Sequence, residues 1–131
     1  MEIILKDLPK ISLNKWYAGM HWTKRKKIKD NYTQIVRSQF SNLLSRDNTY
    51  KVEYHFTFKS RPLDASNCVA MVKMIEDIIF ETDSYKVVTE IVITSSKGLE
   101  DKVLIKVKYG EQSWLSIEDR NGGGDGNNEI N

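Results

Sequence analysis

Cysteine occurs once in this 131-residue chain, as Cys68, and histidine twice, as His21 and His55. A single cysteine excludes an internal disulfide framework and a cysteine-built zinc site, and two histidines make a nitrogen-ligated metal improbable, so any metal must be held by oxygen. No uninterrupted apolar run approaches the roughly 18 residues that span a bilayer, and Met1–Lys6 lacks the long apolar stretch of a secretion signal. The expectation is a cytoplasmic protein without a membrane partner. There is no G-x-x-x-x-G-K-[ST], no G-x-G-x-x-G and no G-x-S-x-G in the sequence, so nucleotide-loop and hydrolase-elbow chemistry has no support. What is present, 40% apolar and 29% charged residues, fits one globular domain with one core.

The net charge of +2 conceals polarity along the chain. Residues 1–61 carry 13 Lys/Arg against 5 Asp/Glu, and residues 62–131 carry 7 against 13, which is +8 followed by −6. A basic half attracts a polyanion, and an acidic half with clustered aspartates suits a divalent cation; solvated faces that differ in sign are the plainer alternative.

Glu2 to Lys6 reads as a short strand. Leu8-Pro9 and Ser12-Leu13-Asn14 then suggest an extended connection carrying Trp16, Tyr17, Gly19 and Trp22. From Thr23, a plausible N-cap, Ile28, Tyr32, Ile35, Val36, Phe40, Leu43 and Leu44 recur at helical spacing and predict a long helix. Its first turns hold Lys24, Arg25, Lys26, Lys27 and Lys29, the wrong sign for a helix N-terminus at a cost of a few tenths of a kcal/mol per charge. That placement calls for a reason other than helix stability. Tyr50 to Lys59 alternates as a half-buried strand, with Val52, Tyr54, Phe56 and Phe58 on one face. A second helix is predicted over about Ser66 to Phe80. Strands over Lys86 to Ser95 and Lys102 to Tyr109, separated by Ser96-Lys97-Gly98, read as a hairpin. The order predicts an α+β domain over 1–109, with a small mixed or antiparallel sheet covered by helices on one side. Residues 110–131 are acidic and rich in Gly and Asn, the composition of a disordered tail, though Trp114, Leu115 and Ile117 offer it docking residues.

The informative stretch is Arg61-Pro62-Leu63-Asp64-Ala65-Ser66-Asn67, followed by Lys73, Asp77 and Thr82-Asp83-Ser84. Ser66, Ala70, Lys73 and Asp77 fall on one side of a helix. Each residue has an ordinary reading: Asp64 as N-cap, Lys73 and Asp77 as an exposed ion pair worth ~0.3–0.5 kcal/mol, Asp83 as a turn former. A helix of about 15 residues separates Asp64 from Asp83 by roughly 20 Å, so the two meet only if the chain folds back beside the helix. If it does, their carboxylates, with waters and a phosphate oxygen, would complete the octahedral shell of Mg²⁺, and Lys73 would offset phosphate charge.

Leu63-Asp64-Ala65-Ser66-Asn67, Lys73-x-x-x-Asp77, Asp83-Ser84-x-x-Val87-Val88, Lys97-Gly98 and an alternating last strand together resemble the RusA family of Holliday-junction resolvases, small endonucleases common in phages and prophages. Leu8-Pro9, Ser12-Leu13-Asn14, Tyr17 and Trp22 resemble the family's opening segment, so the likeness spans roughly residues 3–108. It implies a homodimeric α+β hydrolase of DNA recombination and repair that nicks four-way junctions symmetrically with Mg²⁺, or with Mn²⁺ as a substitute. Asp64, Asp77 and Asp83 are then the expected metal ligands, and Lys73 joins them as a catalytic residue. Lys24, Arg25, Lys26, Lys27 and Lys29 fit phosphate contacts, with Trp16, Tyr17, His21 and Trp22 as a stacking surface. The pattern departs at Ser66, where the family has a second acidic residue. Three extra residues, approximately, also stand between Asn67 and Lys73. A non-catalytic branched-DNA-binding protein of the same fold is the alternative.

Overall fold

The computed structural model describes residues 1–110. In β2 (Tyr50–Phe58), every second residue from Tyr50 to Phe58 is buried and the residues between are half-exposed. A period of two forces this division once one face meets a core. β4 (Lys102–Tyr109) and β1 (Glu2–Lys6) follow the same rule, burying Val103, Ile105 and Val107, and Ile3 and Leu5. β3 (Val88–Lys97) completes a mixed four-stranded sheet of order β1-β4-β2-β3. β4 runs antiparallel to both β1 and β2, and β3 runs parallel to β2.

The helices cover one face. α3 (Val69–Ile79) exposes only Lys73 and Asp77 among its eleven residues and is apolar nearly all round, as expected of a helix packed between a sheet and a second helix. That second helix, α2 (Trp22–Gln39), buries just Tyr32 and Val36. Each fully buried side chain of the size of Phe56 or Ile75 contributes about 1.5–3 kcal/mol by leaving water. The α+β architecture anticipated above is therefore what the chain adopts.

Several local expectations are corrected. The connection after Pro9 contains a short helix, α1 (Leu13–Tyr17), capped by the Ser12 hydroxyl accepting from the Lys15 N–H. His21, not Thr23, caps α2, its ring Nδ1 accepting from the Thr23 N–H at 3.2 Å. α2 ends at Gln39, short of Leu43 and Leu44. Leu44 is buried instead through a backbone bridge to the segment after α3, its N–H donating to the Ile79 carbonyl at 2.8 Å. The second predicted helix is a 3₁₀ turn, Ala65–Cys68, followed by α3.

β3 and β4 are not a hairpin, because β2 lies between them. The chain leaves β3, crosses the end of β2 in the four residues 98–101 and returns as β4. Two bonds pin the crossing: the Gly98 N–H donates to the Phe58 carbonyl at 2.9 Å, and the Asp101 carboxylate accepts from the Lys59 N–H at 2.9 Å. A Cβ on Gly98 would lie 2.3 Å from Thr57 Cγ2, so this approach needs glycine. Among the described residues no helix is long and apolar enough to cross a membrane. The tail expected over 110–131 lies, from residue 111, outside the described residues.

Candidate active site at the return from α3 to β3

Asp64, at φ −59° and ψ 147°, brings the chain from β2 to the 3₁₀ turn, and the Ser95 hydroxyl of β3 donates to the Leu63 carbonyl. Asp64 starts the 3₁₀ turn with its main chain, its carbonyl accepting from the Asn67 N–H at 2.8 Å. Its side chain makes no capping bond and is exposed. The N-cap reading of the Asp64 carboxylate is thus not realised. Cys68, at the end of that turn, is fully buried, and its thiol is pushed up to about 11, chiefly by burial, with the Asp64 charge adding to the effect. It is a packing residue and not a nucleophile.

The chain does fold back. After α3 ends, residues 80–87 return along the helix until the Asp83 carboxylate accepts from Lys73 Nζ at 2.6 Å. Lys73 lies four residues into α3, about 6 Å from its start at 1.5 Å per residue, and its side chain spans the gap to the return. Lys73 is raised above the ordinary lysine range, first by its bond to Asp83; burial opposes the rise, and the charges of Asp83, Glu76 and Asp77 add to it. The expected Lys73–Asp77 ion pair is replaced by this one. Ala70, placed with them on a polar stripe, is buried.

Behind the pair lies a group that sequence reasoning missed. Glu76 is 2% exposed, and the Tyr54 hydroxyl of β2 donates to its Oε2 at 3.1 Å. Burial pushes its carboxyl up to about 7; the Tyr54 bond and Lys73 oppose the rise, and the charges of Asp83 and Asp77 add to it. The Tyr54 hydroxyl is held well above its usual range by burial and by Glu76, with Asp83 contributing. Glu76 is thus electrostatically in touch with both members of the exposed pair. The sequence carried one signal for it: a glutamate at i+3 from Lys73, within an otherwise apolar helix face.

Asp77 stands apart. It lines a hollow of about 140 Å³ with Lys29 and Thr33 of α2 and with Met74 and Ile78. The structure therefore brings together Lys73, Asp83 and Glu76, leaves Asp64 exposed at the start of the same helix, and turns Asp77 toward the basic helix. Among the described residues no three or more His, Cys, Asp or Glu side chains are arranged to hold a metal ion. Magnesium asks for less, since it commonly uses one or two carboxylates alongside water and substrate phosphate. Asp83 is part-exposed and Asp64 makes no capping bond.

The basic residues at the start of α2 divide by partner. Arg25 donates to the Trp16 carbonyl at 2.6 Å, with its guanidinium 5.4 Å from the Trp16 ring. Lys29 Nζ lies 6.0 Å from the same ring, and Lys26 pairs with Asp30 at 2.9 Å. Lys24 and Lys27 form no ion pair among the described residues. Trp16 packs against the core and under these cations, whereas Tyr17 and Trp22 are 71% and 68% exposed. α1 packs against both the 3₁₀ turn and α3, which sets this basic and aromatic surface beside the Asp64 end of the site. No protein-family model matches the chain, and no curated protein matches it in sequence.

Proposed function

We propose that the protein is a homodimeric, Mg²⁺-dependent DNA endonuclease selective for branched DNA, of the kind that resolves Holliday junctions. The observation that carries this reading is the return of Asp83 to Lys73 on the surface of α3, with the uncapped Asp64 at the head of that helix. Asp83 and Asp64 would hold the ion, which when bound supplies Lewis acidity and a more acidic water.

The chain's own groups supply the rest. The part-exposed Lys73 ammonium would exchange Asp83 for a phosphate oxygen, and its raised affinity for the proton keeps it cationic throughout the physiological range. Glu76, buried behind it and donated to by Tyr54, attracts the Lys73 ammonium and, when ionised, repels the Asp83 carboxylate. Lys24, Arg25, Lys27 and Lys29 meet phosphates without reading bases, as recognition of branch shape requires. Asp77 faces Lys29 and serves the join between α2 and α3.

Two observations favour the alternative, a branched-DNA-binding protein that does not cut: Lys73 already neutralises Asp83, and Ser66 carries no charge. The two readings separate on a labelled synthetic four-way junction with Mg²⁺, with Mn²⁺ and without metal. Nicking that needs metal, is paired across the junction, and falls at least about a hundredfold in Asp83→Asn and Asp64→Asn variants that still bind is the expected result. Tight, salt-sensitive binding with no cut under either metal would leave the binding protein.

A further inference from the structure

β3 is a long edge strand, and the 3₁₀ turn packs against it, with Ser95 bonded to the Leu63 carbonyl. Its ten residues pair with β2 on one side, and among the described residues no strand pairs with the other. Proteins blunt such edges with proline, bulges or charge; β3 has one bulge, at Thr89 near its start, and Lys97 at its end, but Glu90 is the only charged residue between Val88 and Ser96, and proline and glycine are absent there. Apolar side chains stand exposed on both of its faces. Ile91, 42% exposed, shares the helix-bearing face with Ile93, and Val92, 39% exposed, lies on the open face. The opposite edge, β1, has five residues.

The edge is self-complementary about Val92. Antiparallel pairing of β3 with a second β3, centred there, sets Val92 against the partner's Val92, Ile91 against the partner's Ile93 and Glu90 against the partner's Thr94. Apolar residues meet apolar ones on both faces and no like charges are opposed, as favourable cross-strand pairing requires. Leu99 and Tyr85, 99% and 80% exposed, are the most exposed large apolar residues among those described. They lie beyond the two ends of β3, Tyr85 in the turn before it and Leu99 in the crossing after it.

We infer that the outer edge of β3 is the two-fold interface of a homodimer, joining two four-stranded sheets into one of eight. The inference deepens the nuclease reading and rests on it for the meaning of the axis. Tyr54, which bonds to Glu76 beneath the Lys73–Asp83 pair, is the neighbour of Ile93 in β3. The two copies of β2 would lie three strand spacings apart, about 14 Å, so both sites open on the same face close to the axis. Two strands meeting at a branch could then be served together.

The test is sedimentation equilibrium of the full chain without DNA or metal, in three variants. Val92→Lys places two ammonium groups against each other at the axis, Leu99→Lys alters a side chain with no packing in the monomer, and Ile4→Lys makes the same change at the β1 edge. The parent and Ile4→Lys should sediment as dimers of the 15.2 kDa chain. Val92→Lys should weaken self-association by about tenfold or more, and Leu99→Lys by less, with circular dichroism unchanged. A monomeric parent, or dimers untouched by both β3-edge variants, overturns the interface. Because no cutting is measured, a β3-paired dimer that fails to nick would sink the nuclease reading alone. Nicking by a protein whose dimer ignores Val92→Lys would sink the interface alone.

Discussion

Glu76 shows how one buried carboxyl links the site to the stability of the fold. A carboxylate out of water favours its neutral form, and here burial outweighs both the Tyr54 hydrogen bond and the Lys73 charge, so the group titrates at about 7 instead of the ordinary 4.5. The unfolded chain releases this proton near 4.5, so between those values the folded state binds more protons than the unfolded one. Stability must then fall as pH rises through that window and level off above it. The whole effect is at most about 3 kcal/mol. Glu76→Gln keeps the acceptor for Tyr54 and removes the ionisation. Its urea midpoint should hardly change between pH 5 and pH 8 where the parent's declines, leaving the variant the more stable at pH 8. Parallel pH profiles of the two proteins would show that Glu76 ionises as freely as a surface glutamate.

At the scale of elements, the crossing from β3 to β4 is where local pattern and topology part. Gly98 is the hinge of that argument, since a methyl there meets Thr57 Cγ2 at 2.3 Å. Gly98→Ala should destabilise by about 1–3 kcal/mol, the usual cost of overpacking. Adding Thr57→Ser, which deletes the offending methyl, should restore most of the loss, and chemical denaturation of the single and double variants measures both. Additive losses would mean that the contact is not the cause. The two strands themselves were legible, because alternation over Lys102 to Tyr109 states which side chains point inward. Their pairing was not. Alternation is the same whether a strand turns back on its predecessor or steps over a third, and the choice was made by Gly98 and Asp101 bonding to Phe58 and Lys59, forty residues away in sequence. Leu43 and Leu44 misled for a related reason. Helical spacing continues through them, but Phe40 leaves the helix in extended backbone and Leu44 is buried by pairing with the α3 return. In the site, Asp83 and Lys73 were readable as residue types, but the fold-back was expected to bring Asp83 to Asp64, and the partner that Asp83 bonds is Lys73. Glu76 was hidden because a charged residue amid apolar neighbours reads as a solvated gap in the stripe until Tyr54 is seen beneath it.

Across the whole molecule, the charge asymmetry along the sequence becomes an arrangement in space. The basic start of α2, anchored by Arg25 and Lys29 around Trp16, stands beside the 3₁₀ turn through α1, while the carboxylates occupy the turn, α3 and its return. A polyanion laid along α2 would thus run toward the acidic groups, an approach that like charge discourages unless a cation lies between. Such a surface implies binding dominated by counterion release, in which each phosphate neutralised steepens the dependence of log K on log salt by about 0.9. The lysines should contribute unequally. Lys24 and Lys27 are uncommitted among the described residues, whereas Lys26 already pairs with Asp30. Replacing Lys24 and Lys27 together by alanine should lower the salt slope for a four-way junction by about 2, and Lys26→Ala by less than 1. The loss should be similar for junctions of different sequence, because phosphate contacts position a duplex without reading it. Fluorescence anisotropy across a salt series gives these slopes directly, and an unchanged slope in the double variant would move the nucleic-acid surface away from the start of α2.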